Sequence, residues 1–389
     1  MIRFFNPGHE TAVLNASKYY QPPVSVAKMQ RELALLPAWY ADCGDFILVD
    51  ENNIFQLNDG KNFEIRKVKI EDMANQEVDL WGISPQSIHF FNKISGKYCL
   101  NLKVPTWKEE FRFLGSRMAS QKVVSLLADS IPEIDSLLTP KFFSSIEEIE
   151  DEAKLFSACD MLVKAPFSSS GRGLVRLKQG KIARSERQII SGFLKKQAQV
   201  SLEKFLNKKL DFSMHFEVLS PQNAVFVGYS VFYTNEKGVW QKTLLANQQT
   251  VRKLITSLIN EDLLDKIKQK LTQLINEMYL PYYQGNIGVD MLVYEENDSL
   301  RLHPCVEINM RKSMGYLALK LFEKRINPQS RGFFQLDFYK DSGHLNENHR
   351  LRQAGNPLVS SNGLIDCGYL NLCPVAENTN YNAFIDIKI

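Results

Sequence analysis

The chain has 389 residues, with 47 basic and 44 acidic side chains and a formal net charge of +3. Because the charges nearly balance, they give no electrostatic reason to expect nucleic acid or a membrane as the main partner. The hydrophobic share of 44% and the charged share of 23% are typical of a soluble globular protein, and the length predicts two or three domains.

The sequence also predicts where in the cell the protein is located. No apolar run approaches the roughly 20 residues that span a bilayer, and the first ten residues, MIRFFNPGHE, lack the pattern of a secretory signal. The six cysteines are scattered and include no close C-x-x-C pair, which argues against a disulfide framework and against a zinc site. We therefore expect a cytoplasmic protein of enzyme size with reduced thiols.

Residues 1–115 have the pattern of an α/β unit. Short apolar runs at 2–5, 45–50 and 87–92 have the length and β-rich composition of strands. The stretch 25–36 lies between the first two runs and has apolar residues at helical spacing. This order of strand, helix and strand predicts a small, mostly parallel sheet.

The segment FFNPGHE directly follows the first predicted strand. Ligands of open α/β sheets lie beyond the carboxyl ends of the strands, which makes Asn6, His9 and Glu10 candidates for substrate contacts. A turn and helix cap built by Asn6, Pro7 and Gly8 is an equally good interpretation of the same residues.

The rest of the chain alternates helical and strand-like segments. We expect helices at 116–129, 144–156 and 256–280, strands at 160–166, 199–206 and 211–219, a hairpin of 224–234 with 239–246, and a second hairpin over 288–309. The tail from about residue 340 is loop-rich, with short strand-like pieces, and its role stays open.

The segment LVKAPFSSSGRG at the end of the strand 160–166 has the composition of a phosphate-binding loop. It offers one ammonium group, several hydroxyl groups, and glycines that let backbone N–H groups approach phosphate oxygens. These residues are Lys164, Ser168, Ser169, Ser170, Gly171 and Gly173. The segment matches neither the P-loop pattern nor the dinucleotide-binding glycine pattern, so a solvated hairpin tip explains it equally well when it is taken alone.

The hairpin over 288–309 gathers acidic side chains. Residues i and i+2 of a strand point to the same face, so Glu307 and Asn309 project together, as does Arg311 if the strand continues. Folding at the EEND turn brings Asp290 opposite or diagonal to Glu307 on that face. Two carboxylates and an amide oxygen suit one or two Mg²⁺ ions. The alternative is a solvated polar face of an antiparallel sheet.

The order of these motifs resembles that of the ATP-grasp enzymes, a superfamily that contains many carboxylate–amine ligases. The resemblance covers about residues 116–316 and rests on the strand with its Lys–Ser/Gly loop, then SLEKFLNKKLDFSM, GVDMLV and EINMRKSMG. It implies an α/β protein, α+β in its C-terminal part, with an ATP-grasp fold preceded by a small Rossmann-like domain. The implied domains are 1–115, the small or lid subdomain 116–205 with its leading helix, and the large subdomain 206–389 with the metal site.

The resemblance also implies which residues bind ATP. Lys164 corresponds to the lysine on the α/β-phosphates, and 168–173 corresponds to the loop that closes over them. Asp211 corresponds to the acid that holds the ribose. The segment that corresponds to the adenine-binding hinge consists of Glu203, Lys204, Phe205 and Leu206.

One phosphate contact departs from the pattern of the superfamily. Arg117 stands near the position of an earlier ATP-binding lysine, and Lys122 follows five residues later. Arginine supplies a cation in that position, although its planar guanidinium is not equivalent to an ammonium group. We favour Arg117 over Lys122 for this contact.

The metal and catalytic positions follow from the same resemblance. Asp290, Glu307 and Asn309 correspond to the Mg²⁺ ligands. Arg311 corresponds to the arginine that faces the reacting acyl or phosphoryl group, and Lys242 resembles a basic residue that meets the γ-phosphate or the acceptor.

The resemblance implies an ATP- and Mg²⁺-dependent ligase, with Mn²⁺ as an alternative ion and with ATP between the two ATP-grasp subdomains. The enzyme would activate a carboxylate as an acyl phosphate and join it to an amine or another nucleophile. We expect small-molecule or peptide carboxylates and amines as substrates. A kinase or phosphotransferase of the same fold, and a nucleotide-binding regulator without turnover, stay open as alternatives, as does a homodimer.

Overall fold

A computed structural model describes residues 1–59, 63–156, 159–168, 173–218, 223–236 and 238–388. Within these ranges the chain divides into two compact units. Unit 1 consists of Met1–Lys108, Gln241–Val251 and Arg311–Ile389, and unit 2 consists of Glu109–Trp240 and Arg252–Met310. The domain boundaries at 115 and 205 stay a prediction.

The described residues alternate between helices and strands. The helices are α1 (His9–Asn15), α2 (Val24–Glu32), α3 (Pro85–Lys97), α4 (Glu110–Leu114), α5 (Arg117–Ser130), α6 (Ile146–Lys154), α7 (Arg184–Gln197), α8 (Gln248–Thr256), α9 (Glu261–Met278), α10 (Met314–Arg325) and α11 (Ser342–Gly355). The strands are β1 (Ile2–Phe4), β2 (Phe46–Asp50), β3 (Asn53–Asp59), β4 (Phe63–Val68), β5 (Val78–Leu80), β6 (Lys141–Phe143), β7 (Met161–Lys164), β8 (Leu174–Leu177), β9 (Val200–Lys204), β10 (Asn207–Val218), β11 (Ala224–Thr234), β12 (Trp240–Leu245), β13 (Gly285–Glu296), β14 (Ser299–Asn309), β15 (Arg331–Phe338), β16 (Val359–Ser361), β17 (Leu364–Asn371) and β18 (Tyr381–Lys388).

The first sheet of unit 1 has the strand order β4-β3-β2-β1-β5. β1 pairs in parallel with β2 and β5, whereas β2, β3 and β4 pair antiparallel. Residues 51–52 are the whole connection between β2 and β3, and so short a connection allows only antiparallel pairing. The sheet that the sequence predicts as mostly parallel is therefore mixed, with its parallel part around β1.

The segment 87–92 is a correction to the sequence analysis, because it lies in helix α3 and not in a strand. The side chain of Ser84 caps the helix and Pro85 lies in its first turn, which are both signals that start a helix. Phe91 and Ile94 are buried three residues apart in the core of this sheet. The β-rich composition of SIHFFN is thus overridden by the cap and by helical packing.

The remaining strands of unit 1 pair antiparallel. The pairs are β12 with β15, β15 with β18, β18 with β17, and β17 with β16. Strands β16, β17 and β18 and helix α11 come from the tail beyond residue 340. The tail therefore contributes regular structure to unit 1.

Unit 2 contains a small antiparallel sheet of order β6-β9-β7-β8 and the adjacent antiparallel strands β14-β13-β10-β11. Helices α6 and α7 pack on the small sheet through buried isoleucines. Helix α5 lies against β14, where Oγ of Ser120 accepts a hydrogen bond from the backbone N–H of Ile308 at 3.0 Å. The predicted helices at 116–129, 144–156 and 256–280 are confirmed as α5, α6 and α9. None of the helices in the described ranges is long and apolar enough to cross a bilayer.

Candidate active site

A row of polar side chains crosses four antiparallel strands of unit 2. Backbone pairing places Asp290 of β13 directly opposite Glu307 of β14. Ser213 of β10 lies opposite Asp290, and Ser230 of β11 lies opposite Ser213. Because directly paired residues point to the same face of a sheet, the side chains of Glu307, Asp290, Ser213 and Ser230 form one line across it, which we call the acidic row. The predicted position of Asp290 beside Glu307 is confirmed.

Both carboxylate oxygens of Asp290 are held by neighbouring side chains. Oγ of Ser213 donates a hydrogen bond to Oδ1 at 2.6 Å, and Nδ2 of Asn309 donates one to Oδ2 at 2.9 Å. Ser213 is buried. Outer hydrogen bonds of this kind fix the orientation of a carboxylate that binds a metal, so Ser213 and Asn309 hold Asp290 in one orientation.

A second row, formed by His215, Gly288 and Asn309, lies two residues away from the acidic row on β10, β13 and β14. Gly288 is paired with Asn309 on one side and with His215 on the other. His215 is buried and shares a hydrogen bond with Ser230, with 2.8 Å between Nε2 and Oγ. Burial lowers the pKa of His215 to about 3. The imidazole is therefore neutral near pH 7, and it adds hydrogen-bonding capacity beside the acidic row without adding charge.

Arg117, the first residue of α5, links this sheet to the loop after β7. Its Nη2 lies 3.0 Å from Oε2 of Glu307 and donates a hydrogen bond to Oγ of Ser168 at 3.3 Å. Its Nε donates a hydrogen bond to the backbone oxygen of Ala165 at 3.2 Å. Lys122, the other candidate for the phosphate contact, is not part of this group of contacts. The assignment of Arg117 to the phosphate contact stays a prediction.

Lys164 and Glu203 form a buried ion pair between β7 and β9, with side chains 7% and 10% exposed. Oε1 of Glu203 also accepts a hydrogen bond from Oγ of Ser201 at 2.8 Å. Burial by itself would raise the pKa of Glu203, but the ammonium of Lys164 lowers it below its ordinary value. The pair therefore stays ionised, and it brings two of the predicted ATP-binding residues together.

Ser168 and Gly173 lie at the two described ends of the predicted phosphate loop. The backbone oxygen of Gly173 accepts a hydrogen bond from the N–H of Ala165 at 2.9 Å. A Cβ atom at Gly173 would lie only 2.3 Å from Cβ of Ser168, so the close approach of the two chain segments requires glycine there. The predicted contacts of Ser169, Ser170 and Gly171 lie outside the described residues.

The predicted adenine hinge is the connection between β9 and β10. Lys204 ends β9 and pairs with Glu296, while the guanidinium of Arg176 stacks on the ring of Phe205, 3.7 Å from its centroid. Leu206 follows and is half-buried. Lys204 is paired with Met161 of β7, and the backbone N–H of Phe205 donates a hydrogen bond to the backbone oxygen of Asp160 at 2.9 Å. The binding of adenine at this connection stays a prediction.

Asp211, the predicted ribose contact, lies on β10 two residues before Ser213. Its Oδ2 accepts hydrogen bonds from Nζ of Lys208 at 2.6 Å and from Oγ1 of Thr234 at 3.1 Å. Burial raises the pKa of Asp211 above its ordinary value, although Lys208 opposes the change. Because strand side chains alternate, Asp211 points to the same face as Ser213 and Asp290.

The donor set of the acidic row fits Mg²⁺. Asp290, Glu307 and Asn309 offer carboxylate and amide oxygens, the ligand type that Mg²⁺ takes, and this ion is commonly held by one or two carboxylates together with substrate phosphates. The side chain of Glu307 is 30% exposed. Among the described residues, no three His, Cys, Asp or Glu side chains are grouped to hold a metal. An ion in this position would thus rely on substrate oxygens and water for the rest of its shell.

The two residues predicted as catalytic lie in unit 1. Nζ of Lys242 on β12 lies over the ring of Phe333, 4.2 Å from its centroid. Nε of Arg311 donates a hydrogen bond to Oε1 of Glu10 at 2.5 Å. Arg311 thus contacts one of the residues that the sequence predicts to bind substrate, whereas Lys242 contacts an aromatic ring of a neighbouring strand.

Sequence reasoning missed Ser213 and Ser230 as members of the polar face. The signal for Ser213 was present, because Asp211, Ser213 and His215 alternate along one predicted strand and must share a face. The partnership of Ser230 with His215 depends on the pairing of β10 with β11. That pairing can be read only from the folded chain.

The fold of the chain is similar to that of enzymes whose structures were solved with bound nucleotides. N5-carboxyaminoimidazole synthetase from Staphylococcus aureus, complexed with ADP, is 12% identical with a TM-score of 0.50, covering 100% of this chain and 92% of that one. The biotin carboxylase–β-γ-ATP complex from Campylobacter jejuni is 12% identical with a TM-score of 0.50, covering 80% and 71%. The biotin carboxylase domain dimer of 2-oxoglutarate carboxylase from Hydrogenobacter thermophilus, with MgADP, ADP and bicarbonate, is 11% identical with a TM-score of 0.50, covering 80% and 69%.

No family model matches the chain, and no curated protein matches it in sequence. At identities of 11–12% the structural similarity establishes the fold. N5-carboxyaminoimidazole synthetase and biotin carboxylase are ATP-grasp proteins. The chain therefore has the ATP-grasp fold, and the fold implied by its motifs is confirmed.

Proposed function

We propose that the chain is an ATP- and Mg²⁺-dependent ligase that activates a carboxylate as an acyl phosphate and joins it to an amine or another nucleophile. The observation that carries the proposal is the direct pairing of Asp290 with Glu307, with Asn309 bonded to Asp290 and Arg117 bonded to Glu307. This arrangement combines an oxygen-rich ion site with a cation that also reaches the predicted phosphate loop.

The proposed nucleotide contacts follow the fold and the contacts of unit 2. Lys164 and Arg117 bind phosphate oxygens, because each supplies a fixed positive charge next to the described ends of the loop. The connection 204–206 binds adenine through its backbone, and Asp211 binds the ribose hydroxyls. ADP and ATP in the names of two similar structures support a nucleotide as the ligand.

The first proposed step is phosphoryl transfer. An oxygen of the substrate carboxylate bonds to the γ-phosphorus of ATP, the bond to the bridging oxygen breaks, and ADP leaves. Such reactions depend mainly on positioning and on stabilising charge. When bound at Asp290, Glu307 and Asn309, Mg²⁺ would neutralise charge on the phosphates. Arg117 holds Glu307 in one orientation, since its guanidinium lies 3.0 Å from the carboxylate.

The second proposed step is acyl transfer. The nucleophile bonds to the carbonyl carbon of the acyl phosphate, the carbon–oxygen bond to phosphate breaks, and inorganic phosphate leaves. Arg311 and Lys242 are the proposed cations that face the reacting acyl or phosphoryl group. Because water destroys an acyl phosphate, the proposed role of residues 168–173 is to cover it.

Thermal unfolding tests whether the nucleotide binds. A ligand that binds only the native state raises its stability by about 2.7 kcal/mol at 100 times the Kd. We expect ATP with Mg²⁺ to raise Tm clearly, and ATP with excess chelator to raise it less. An unchanged Tm at millimolar ATP and Mg²⁺ would contradict the proposal.

A product screen tests the chemistry. The protein is incubated with ATP, Mg²⁺ and pools of small acids and amines, and the products are identified by mass spectrometry. A condensed product, with ADP and phosphate, supports the ligase. A stable phosphorylated product without condensation identifies a phosphotransferase instead.

A further inference from the structure

Strand β4 lies at one edge of the first sheet of unit 1. It pairs with β3 on its inner side. Within the described ranges, no other backbone segment bonds to the backbone of residues 64–68. The outer side of β4 therefore presents a row of N–H and C=O groups that can pair with a strand from another molecule.

The opposite edge of the same sheet is covered by the chain itself. The backbone N–H of Val78 on β5 donates a hydrogen bond to the backbone oxygen of Lys103 at 3.0 Å. The N–H of Lys103 donates one in turn to the backbone oxygen of Gln76 at 2.9 Å. In the described part of the chain, this sheet is thus covered at β5 and open at β4.

Two exposed side chains of opposite charge lie on one face of β4. Glu64 and Arg66 are two residues apart, so they point to the same side of the sheet. Nε and Nη2 of Arg66 both donate to the neutral amide oxygen of Gln56, at 3.2 and 2.6 Å. These bonds leave Nη1 of the guanidinium as a donor for a carboxylate. Neither Glu64 nor Arg66 is in an ion pair with another described residue.

The charges of β4 are complementary to those of a second copy of the same strand. Charged residues on an edge strand usually prevent pairing with another chain, but β4 carries both signs two residues apart. When two copies run antiparallel with a two-fold axis at Ile65, Glu64 lies opposite Arg66 of the partner subunit, and the same pair forms again across the axis. Opposite charges that face each other directly stabilise an antiparallel pair.

The pleat and the charges together select the register of this pairing. A two-fold axis perpendicular to the sheet keeps each face on the same side in both copies, so the axis must pass through a residue and even-numbered residues oppose even-numbered ones. An axis at Glu64 or at Arg66 would place two like charges directly opposite each other, which is destabilising. Among these three central residues, Ile65 is the position that places opposite charges together.

We propose that the chain forms a two-fold symmetric homodimer in which β4 pairs antiparallel with β4 of the partner subunit, with the axis at Ile65. Such a contact uses the same patch on both subunits, as two-fold symmetry requires. The five-stranded sheets of the two copies then continue into each other, and the open backbone groups of both edges become paired. The proposal concerns unit 1 and does not depend on the ligase reaction.

Sedimentation of the full chain at a series of concentrations measures the association. We expect the unchanged protein to form a species with twice the mass of one chain. Glu64→Arg and Arg66→Glu are each expected to raise the dissociation constant of the dimer at least about 10-fold, because each places like charges opposite each other twice. Lys67→Glu is the matched control on the opposite face of the same strand, and we expect it to leave the dimer intact.

Mixing the two charge-reversed variants tests the register itself. Glu64→Arg carries two cations on this face and Arg66→Glu carries two acids, so a mixed pair again has opposite charges at both places. We expect the mixture to form a heterodimer at concentrations where each variant alone is monomeric, which also shows that both variants are folded. The proposal is overturned if the unchanged protein is monomeric, or if both reversed variants form dimers as tightly as it does.

Hydrogen exchange of the unchanged protein tests the same strand without any substitution, so the result holds even if a variant fails to fold. Pairing protects the backbone N–H groups of residues 64–67 that point away from β3, and we expect their exchange to slow as the concentration rises through the dissociation constant. The exposed strand β16 is the comparison, and we expect its exchange to stay the same. A dimer without slower exchange at residues 64–67 has its interface elsewhere, and this outcome overturns the proposal.

Discussion

Arg117 and Glu307 are 190 residues apart in sequence, and Nη2 of the arginine lies 3.0 Å from Oε2 of the glutamate. The arginine side chain is 8% exposed and the glutamate side chain 30%. The cation proposed for phosphate and the acid proposed for Mg²⁺ thus balance each other before either ligand binds. Changes at either residue are expected to affect both ligands.

Glu307→Gln is expected to abolish ligation while preserving the fold, because it keeps the shape of the side chain and removes its charge. Loss of a residue that supports a metal ligand typically lowers metal affinity about 10- to 100-fold. Because Glu307 is proposed as a direct ligand, we expect a loss of at least about 100-fold. Calorimetry with Mg²⁺ and ATP measures the loss. Glu295→Gln on the neighbouring strand is the control, and equal affinities in the two variants would refute the assignment of Glu307.

Ser213→Ala is expected to weaken Mg²⁺ binding about 10- to 100-fold through Asp290. The variant removes the hydroxyl that donates to Oδ1 of Asp290 at 2.6 Å, and the loss of a hydrogen bond to a charged group costs about 1.5–3 kcal/mol. Ser230→Ala, which instead removes the partner of His215, is the comparison. Metal titration separates the variants, and a larger loss for Ser230→Ala would contradict the proposed role of Ser213.

Gly173→Ala is expected to reduce the stabilisation by ATP, because the new Cβ would lie 2.3 Å from Cβ of Ser168. Gly192→Ala in α7 is the matched control, since nothing lies within 4 Å of the added Cβ there. Replacing glycine in a helix with alanine stabilises by about 0.5–1 kcal/mol. Thermal shifts with and without ATP check both variants, and an undiminished ATP shift in Gly173→Ala would argue against a phosphate site at this loop.

Lys164→Met is expected to destabilise the protein by about 3–5 kcal/mol, because it leaves Glu203 buried and unpaired. The double variant Lys164→Met/Glu203→Gln is expected to recover part of the loss, as measured by urea unfolding. Lys266→Met, which breaks the exposed pair with Glu133, is expected to change little. If the double variant is no more stable than Lys164→Met, the ion pair is not the cause of the loss.

The stabilisation by Glu203 is expected to depend on pH in one direction. Its pKa is lower in the folded protein than its ordinary value, so its contribution is complete above the unfolded pKa of about 4.3. The contribution is lost as the pH falls through the lower folded pKa. Urea unfolding of the unchanged protein and of Lys164→Met at a series of acidic pH values measures it. A stability difference that grows as the pH falls would contradict the sign.

The acidic row could be predicted from the sequence because it depends on local rules. The alternation along β13 and β14 and the polar turn between them are enough to place Asp290 with Glu307. The turn residues Asn297 and Asp298 both have positive φ, at 50° and 57°, as the tight hairpin turn requires. The helix at 85–97 could not be recovered from composition, since its cap and its packing outweigh its β-rich residues.

Contacts between segments that are distant in sequence could not be predicted from sequence patterns. Arg311 and Glu10 are separated by 301 positions, and no periodicity relates them. The sequence names both residues as candidates but not as partners. Their contact depends on where residue 311 re-enters unit 1, which is a property of the folded chain.

The discontinuity of unit 1 has a consequence for synthesis on the ribosome, where domains form in order from the N-terminus. Asp79 emerges early, but its partner Lys312 follows 233 residues later, after all of unit 2 up to Met310. Arg3 of β1 also pairs with Asp79 and is made before it, so Lys312 is the second cation at this carboxylate and is made only after unit 2. When that segment is made, it brings Arg311 to Glu10 and Lys312 to Asp79 together, so two ion pairs of the first sheet form only after unit 2 has been synthesised.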